Sequence, residues 1–106
     1  MNYKNIKRNN QFNMIVINEY FEGAVKSLGY DSKDGKSSIG IIEEGEYKFG
    51  TSMHETIIIL EGELEVLLPK SAIWKTFTNG QRFEVSANQS FTVRSGMQTS
   101  YLCKYK

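Results

Sequence analysis

The chain has 106 residues, with one proline, nine glycines and 40% hydrophobic residues, which bounds it to one small folded domain. A net charge of +1 without a basic block removes the electrostatic footprint of a nucleic-acid binder, and the single cysteine, Cys103, excludes an internal disulfide and a cysteine-based zinc cluster. The longest apolar run, around Thr56–Leu60, falls far short of the roughly 20 residues a membrane helix needs; with a polar start unlike a signal peptide, a cytoplasmic location is expected.

Residues 1–13 carry Lys4, Lys7 and Arg8, no acid and little apolar periodicity, so they are expected to form a flexible basic lead, with Met14 as an alternative start to Met1. The folded part is expected over residues 14–106. Strands are predicted over residues 21–28, then a loop from Asp31 to Ser38, then strands over 38–43, 46–49, 54–60 and 64–68. The glycine of Glu61-Gly62-Glu63 is expected to close a hairpin between the last two. Strands over 74–77, 82–85, 90–94 and 100–105 complete the set, with Asn79-Gly80 predicted as a type I′ turn. Many short strands and no sustained helical period make the chain all-β, a single-domain cupin-type β-barrel or double-stranded jelly roll.

Alternation assigns faces. If Glu55 points inward, Ile57 and Ile59 do too, while Thr56 and Ile58 face out; beyond Gly62 the inward set is Leu64, Val66 and Leu68, with Glu63 and Glu65 exposed. An outward Ile58 beside Leu60 is more economical if it packs on a second subunit, so a homodimer is expected.

A carboxylate at the head of an apolar strand, followed by a turn glycine, is how the first cupin motif ends. The histidine pair that normally precedes it is replaced by Phe49 and Thr51, or by Lys48 and Gly50 with a longer spacer. In the second motif Ser86 holds the proline position, Asn88 the glycine and Phe91 the histidine. The only histidine, His54, adjoins Glu55 and points to the opposite side of a regular strand. One His and one Glu are too few for a protein metal site, so no metal and no cofactor are expected.

The segments NEYFEG at Asn18–Gly23, VKS at Val25–Ser27, GEYKF at Gly45–Phe49, VLLP at Val66–Pro69 and TSYLC at Thr99–Cys103 carry a closer resemblance. Together with Glu55, Gly62, Trp74, Gly80, Phe83 and Val85, they resemble the small cupin-type pyrimidine/purine nucleoside phosphorylases over almost everything after Val16. Two departures stand out: Ser86, where a proline is expected, relaxes one turn, and the 13-residue lead touches no motif. The resemblance implies reversible phosphorolysis of diverse nucleosides to free base and ribose 1-phosphate, with inorganic phosphate as co-substrate. No Walker-type or dinucleotide-binding glycine loop competes with that.

Such chemistry needs a group for the ribose and its developing positive charge, and donors for phosphate and the departing base. Glu55 is the expected catalytic carboxylate, although a buried acid tied to barrel backbone would leave the same trace in sequence. Tyr47, Thr51, His54 and Tyr101 are the expected substrate contacts, with core packing as the plainer role for the aromatics, Phe49 and Phe91 included. Arg82 and Arg94 are the expected phosphate cations, with Lys48 a further candidate, although parity turns all three toward a solvated outer face. Backbone amides could serve phosphate instead. Cys103 reads as a buried thiol, not a nucleophile, and Trp74 as a cap on the barrel. The alternative function is a metal-free cupin that binds a small sugar or nucleotide without turnover.

Overall fold

The computed structural model describes residues 14–106; the expected basic lead at 1–13, and with it the choice of start, lies outside the described residues. Among the described residues, ten strands form two antiparallel sheets: β1 (Val16–Tyr20), β2 (Val25–Ser32), β3 (Gly35–Ile42), β4 (Gly45–Gly50), β5 (Glu55–Glu61), β6 (Glu63–Leu67), β7 (Trp74–Thr78), β8 (Arg82–Val85), β9 (Ser90–Ser95) and β10 (Thr99–Tyr105). One sheet runs β1-β2-β3-β10-β5-β8, the other β4-β9-β6-β7. This is the expected all-β, cupin-type double sheet. Its last strand is central, held between β3 and β5.

The core lies between the sheets and follows from period-two alternation. Val25, Ile42, Ile57, Ile59, Phe83, Val85 and Cys103 come from the larger sheet, and Tyr47, Leu64, Val66, Phe91 and Val93 from the smaller. Each fully buried aliphatic side chain contributes about 1.5–3 kcal/mol of transfer free energy. The outer face of the larger sheet is apolar as well. Register aligns Ile17, Leu28, Ile39, Leu102 and Ile58 in one row across five strands, and the first three are 74%, 48% and 44% exposed.

Five expectations need correction. The strand predicted over 21–28 starts only at Val25, because Phe21, Glu22 and Gly23 take successive positive φ values of 53°, 57° and 91° in a one-turn 3-10 segment that ends a separate strand, β1. The predicted loop from Asp31 to Ser38 is mostly strand: Ser32 pairs with Gly35, leaving Lys33-Asp34 as the turn of the β2–β3 hairpin. Its polar composition reflects exposure, not irregularity.

Neither glycine turn downstream is a hairpin. β5 and β6 belong to different sheets, so Gly62 is a corner at φ 112°, where a Cβ would stand 2.9 Å from Thr99 Cβ and 3.0 Å from its Cα. Three successive N–H groups of that corner find side-chain acceptors: Glu61 on Ser100 Oγ at 3.1 Å, Gly62 on Asn79 Oδ1 at 2.9 Å and Glu63 on Thr99 Oγ1 at 3.1 Å. Asn79-Gly80 likewise carries the chain from β7 back to the larger sheet. Only Gly80 has positive φ, 82°, whereas type I′ needs it at both central residues; the pattern is that of type II. Finally, Trp74 is no cap. It lies on the outside of the smaller sheet under Arg94, whose guanidinium carbon is 3.8 Å from the ring centroid.

Candidate active site

A cavity of about 140 Å³ opens between the sheets. Its lining includes Glu55 and Ile57 from β5, Tyr101, Cys103 and Tyr105 from β10, Ser27 from β2, Phe49 from β4, Phe91 from β9 and Tyr20 at the end of β1. The polar groups gather on the larger sheet because alternate residues of β10 face inward, and register sets Tyr105 beside Glu55, Cys103 beside Ile57, and Tyr101 beside Ile59. No lysine or arginine lines it. Among the described residues, no group of three or more His, Cys, Asp or Glu side chains converges in a metal-ligating arrangement.

Glu55 is held by one side-chain contact: Cys103 Sγ donates to its Oε1 at 3.4 Å. Burial pushes the Glu55 carboxyl above its ordinary range, while the Cys103 hydrogen bond and the charge of His54 pull it partly back. The Cys103 thiol is driven up by burial and by the adjacent carboxylate, so it stays protonated and serves as a donor. Tyr105 pairs its hydroxyl with Ser38 Oγ at 2.9 Å, and burial pushes its phenol up too. For Tyr101 burial lifts the phenol to about 12, with the Ser27 hydroxyl as a hydrogen-bonding neighbour opposing the shift.

Rings form the remaining wall. Phe21, Phe49, Phe91, Phe83 and Phe77 follow one another at centroid separations of 5.4, 5.6, 5.9 and 5.0 Å, the middle three facing the cavity. Phe21, exposed on the 3-10 turn, begins this series and also meets Tyr47 at 5.1 Å.

Of the residues expected from sequence, the fold brings Glu55 and Tyr101 together in the cavity, with Phe49 and Phe91. Tyr47 is inward as parity predicts, but its hydroxyl donates to the Glu43 and Glu44 carbonyls, both at 3.1 Å, and does not reach the lining. Thr51 is buried; its Oγ1 donates to the Ser86 carbonyl at 2.7 Å and accepts from Gln89 N–H at 3.0 Å, which pins the β8–β9 connection. His54 points away from Glu55, with Nε2 at 2.9 Å from Glu84 Oε1 on the outer side of the β5–β8 edge. Arg82 and Lys48 are exposed on outer faces. Arg94 is engaged outside by Glu65, through Nε–Oε1 and Nη2–Oε2 contacts of 3.2 Å each, and by Trp74. Sequence reading missed Tyr20, Ser27 and Tyr105; only for Tyr105 was a signal at hand, its i+2 and i+4 spacing from Cys103 and Tyr101 on one strand face.

The sequence model of the pyrimidine/purine nucleoside phosphorylases matches residues 15–105. A Pseudomonas savastanoi protein named pyrimidine/purine nucleoside phosphorylase is 44% identical over 93 residues, 88% of this chain and 100% of its own length. Among solved structures, a Vibrio parahaemolyticus protein described as of unknown function superposes with a TM-score of 0.84 at 39% identity, covering 88% of this chain and 99% of that one. An RmlC-like cupin from Shewanella frigidimarina, at 16% identity and a TM-score of 0.65, covers 89% and 83% respectively and shares the fold.

Proposed function

The chain belongs to the pyrimidine/purine nucleoside phosphorylase family, and on that premise we propose that its cavity carries out reversible phosphorolysis of purine and pyrimidine nucleosides. A phosphate oxygen bonds to the anomeric carbon, the C–N bond breaks with its electron pair leaving on the base, and the base takes up a proton. Ribose 1-phosphate and free base result. The observation that carries this reading is the pairing of one half-buried carboxylate with an aromatic wall in a single cavity.

Glu55, as the carboxylate, takes the ribose hydroxyls and stabilises the positive charge that grows on the sugar. The rings of Phe49 and Phe91 offer π-faces, which accept either class of base without reading its edge. At about 140 Å³ the cavity is smaller than the roughly 300–1,000 Å³ of drug-sized sites, so the substrates are not wholly enclosed by it and extend past the exposed Tyr20. Phosphate meets a neutral donor in the Tyr105 hydroxyl, while the Tyr101 and Ser27 hydroxyls face the nucleoside. A role for Arg82 or Arg94 toward phosphate rests on a surface shared with another subunit. The apolar row on the larger sheet is the face we assign to a homodimer.

The purified chain, given inosine or uridine with and without phosphate, tests this: free base is expected only with phosphate. Nucleoside binding without phosphate-dependent release would point instead to a pocket that only binds.

A further inference from the structure

Tyr101 does not stand upright on its strand. Register places Asn18, Ser27, Gly40 and Tyr101 side by side across β1, β2, β3 and β10, all facing inward, with Asn18 Nδ2 donating to Ser27 Oγ at 3.4 Å. A Cβ built on Gly40 would lie 2.5 Å from Tyr101 Cζ and 2.7 Å from its Cε1, with the hydroxyl oxygen in equally close contact. Carbon atoms in ordinary contact sit about 3.5–4.0 Å apart, so the ring occupies the volume of a side chain that residue 40 lacks. Gly40 lies in regular strand and is not among the positive-φ glycines. The requirement for glycine here is therefore one of space, not of backbone conformation.

We infer that Gly40 is a positioning residue for the nucleoside site: its missing Cβ lets Tyr101 lie flat across β3, with its hydroxyl beside Ser27, as one wall of the cavity. The assignment rests on reading the cavity as the nucleoside site. The burial that holds the Tyr101 phenol neutral agrees with this posture, and a neutral phenol is a hydrogen-bond donor. The conflict an alanine creates falls on the far end of a rotatable side chain. Tyr101 would swing by about 1 Å or more to relieve it while the sheet stays intact. A displacement of that size in a positioning group can cost on the order of 100-fold in rate.

The experiment compares Gly40→Ala with wild type in the full chain. The variant is expected to melt within a few degrees of wild type, to show a nucleoside KM raised roughly 10-fold or more with little change in the KM for phosphate, and to lose nuclear Overhauser contacts between the Tyr101 ring and Gly40 and Ser27. Tyr101→Phe assigns the tyrosine resonance. An unchanged nucleoside KM with the Tyr101–Ser27 contact retained would overturn the inference. If wild type releases no base with phosphate, the functional reading fails by itself, and the ring contacts still decide whether Gly40 sets the posture of Tyr101. If Gly40→Ala does not fold alone, it is placed in a Tyr101→Leu background. The clash predicts that Gly40→Ala costs nothing further there; an equal loss in both backgrounds would overturn it.

Discussion

Glu55 meets two demands at once, since a carboxylate useful to a cationic sugar must be withdrawn from water and yet ionise. Its folded pKa lies above the unfolded value, so the folded chain holds the proton longer. The penalty is absent below the unfolded pKa and grows as pH rises toward the folded one. Glu55→Gln is therefore expected to melt at or above wild type at pH 7 while phosphorolysis falls by orders of magnitude; equal loss of fold would move Glu55 to a structural role. Because the carboxylate is taken as the active form, the acid limb of the rate profile should lie above the ordinary carboxylate range. Cys103→Ala removes the donor that lowers this pKa and should move that limb to higher pH; no movement would show that the thiol does not act on Glu55. Glu55 was legible because strand parity and the cupin spacing agreed on it. Ser27 and Tyr20 were not, since only register between strands distant in sequence brings them to the same cavity.

At the scale of elements, a turn glycine looks the same in sequence whether the chain folds back on its own sheet or crosses to the other. That is why Gly62 read as a hairpin and Asn79-Gly80 as a type I′ turn, and both proved to be corners. The polar stretch Asp31–Ser38 misled for a related reason: an exposed hairpin and a loop share a composition. The alternation within strands was legible throughout, because the core imposes it directly. At the Gly62 corner an added Cβ meets backbone as well as a side chain, unlike at Gly40. Gly62→Ala combines that contact with an unfavourable φ and should cost about 2 kcal/mol or more, a fall in Tm of roughly 10 °C for a domain of this size. A melt within a degree or two of wild type would show that the corner relaxes freely.

For the whole molecule, the apolar row from Ile17 to Ile58 leaves three neighbouring large side chains, Ile17, Leu28 and Ile39, exposed on one sheet face. If that row is the homodimer face proposed above, Ile39→Glu, at its middle and outside the core, should halve the sedimenting mass while circular dichroism stays unchanged; an unchanged mass would overturn that assignment. Among the described residues no helix is long and apolar enough to cross a membrane. The place of β10 has a consequence for how the chain is made. Synthesis delivers β3 and β5 long before the strand that joins them, so a nascent chain must carry two open sheet edges until β10 emerges. Termination before or inside TSYLC would thus leave an adhesive, half-built sheet, and the quality of the product depends on the codons of β10 being reached.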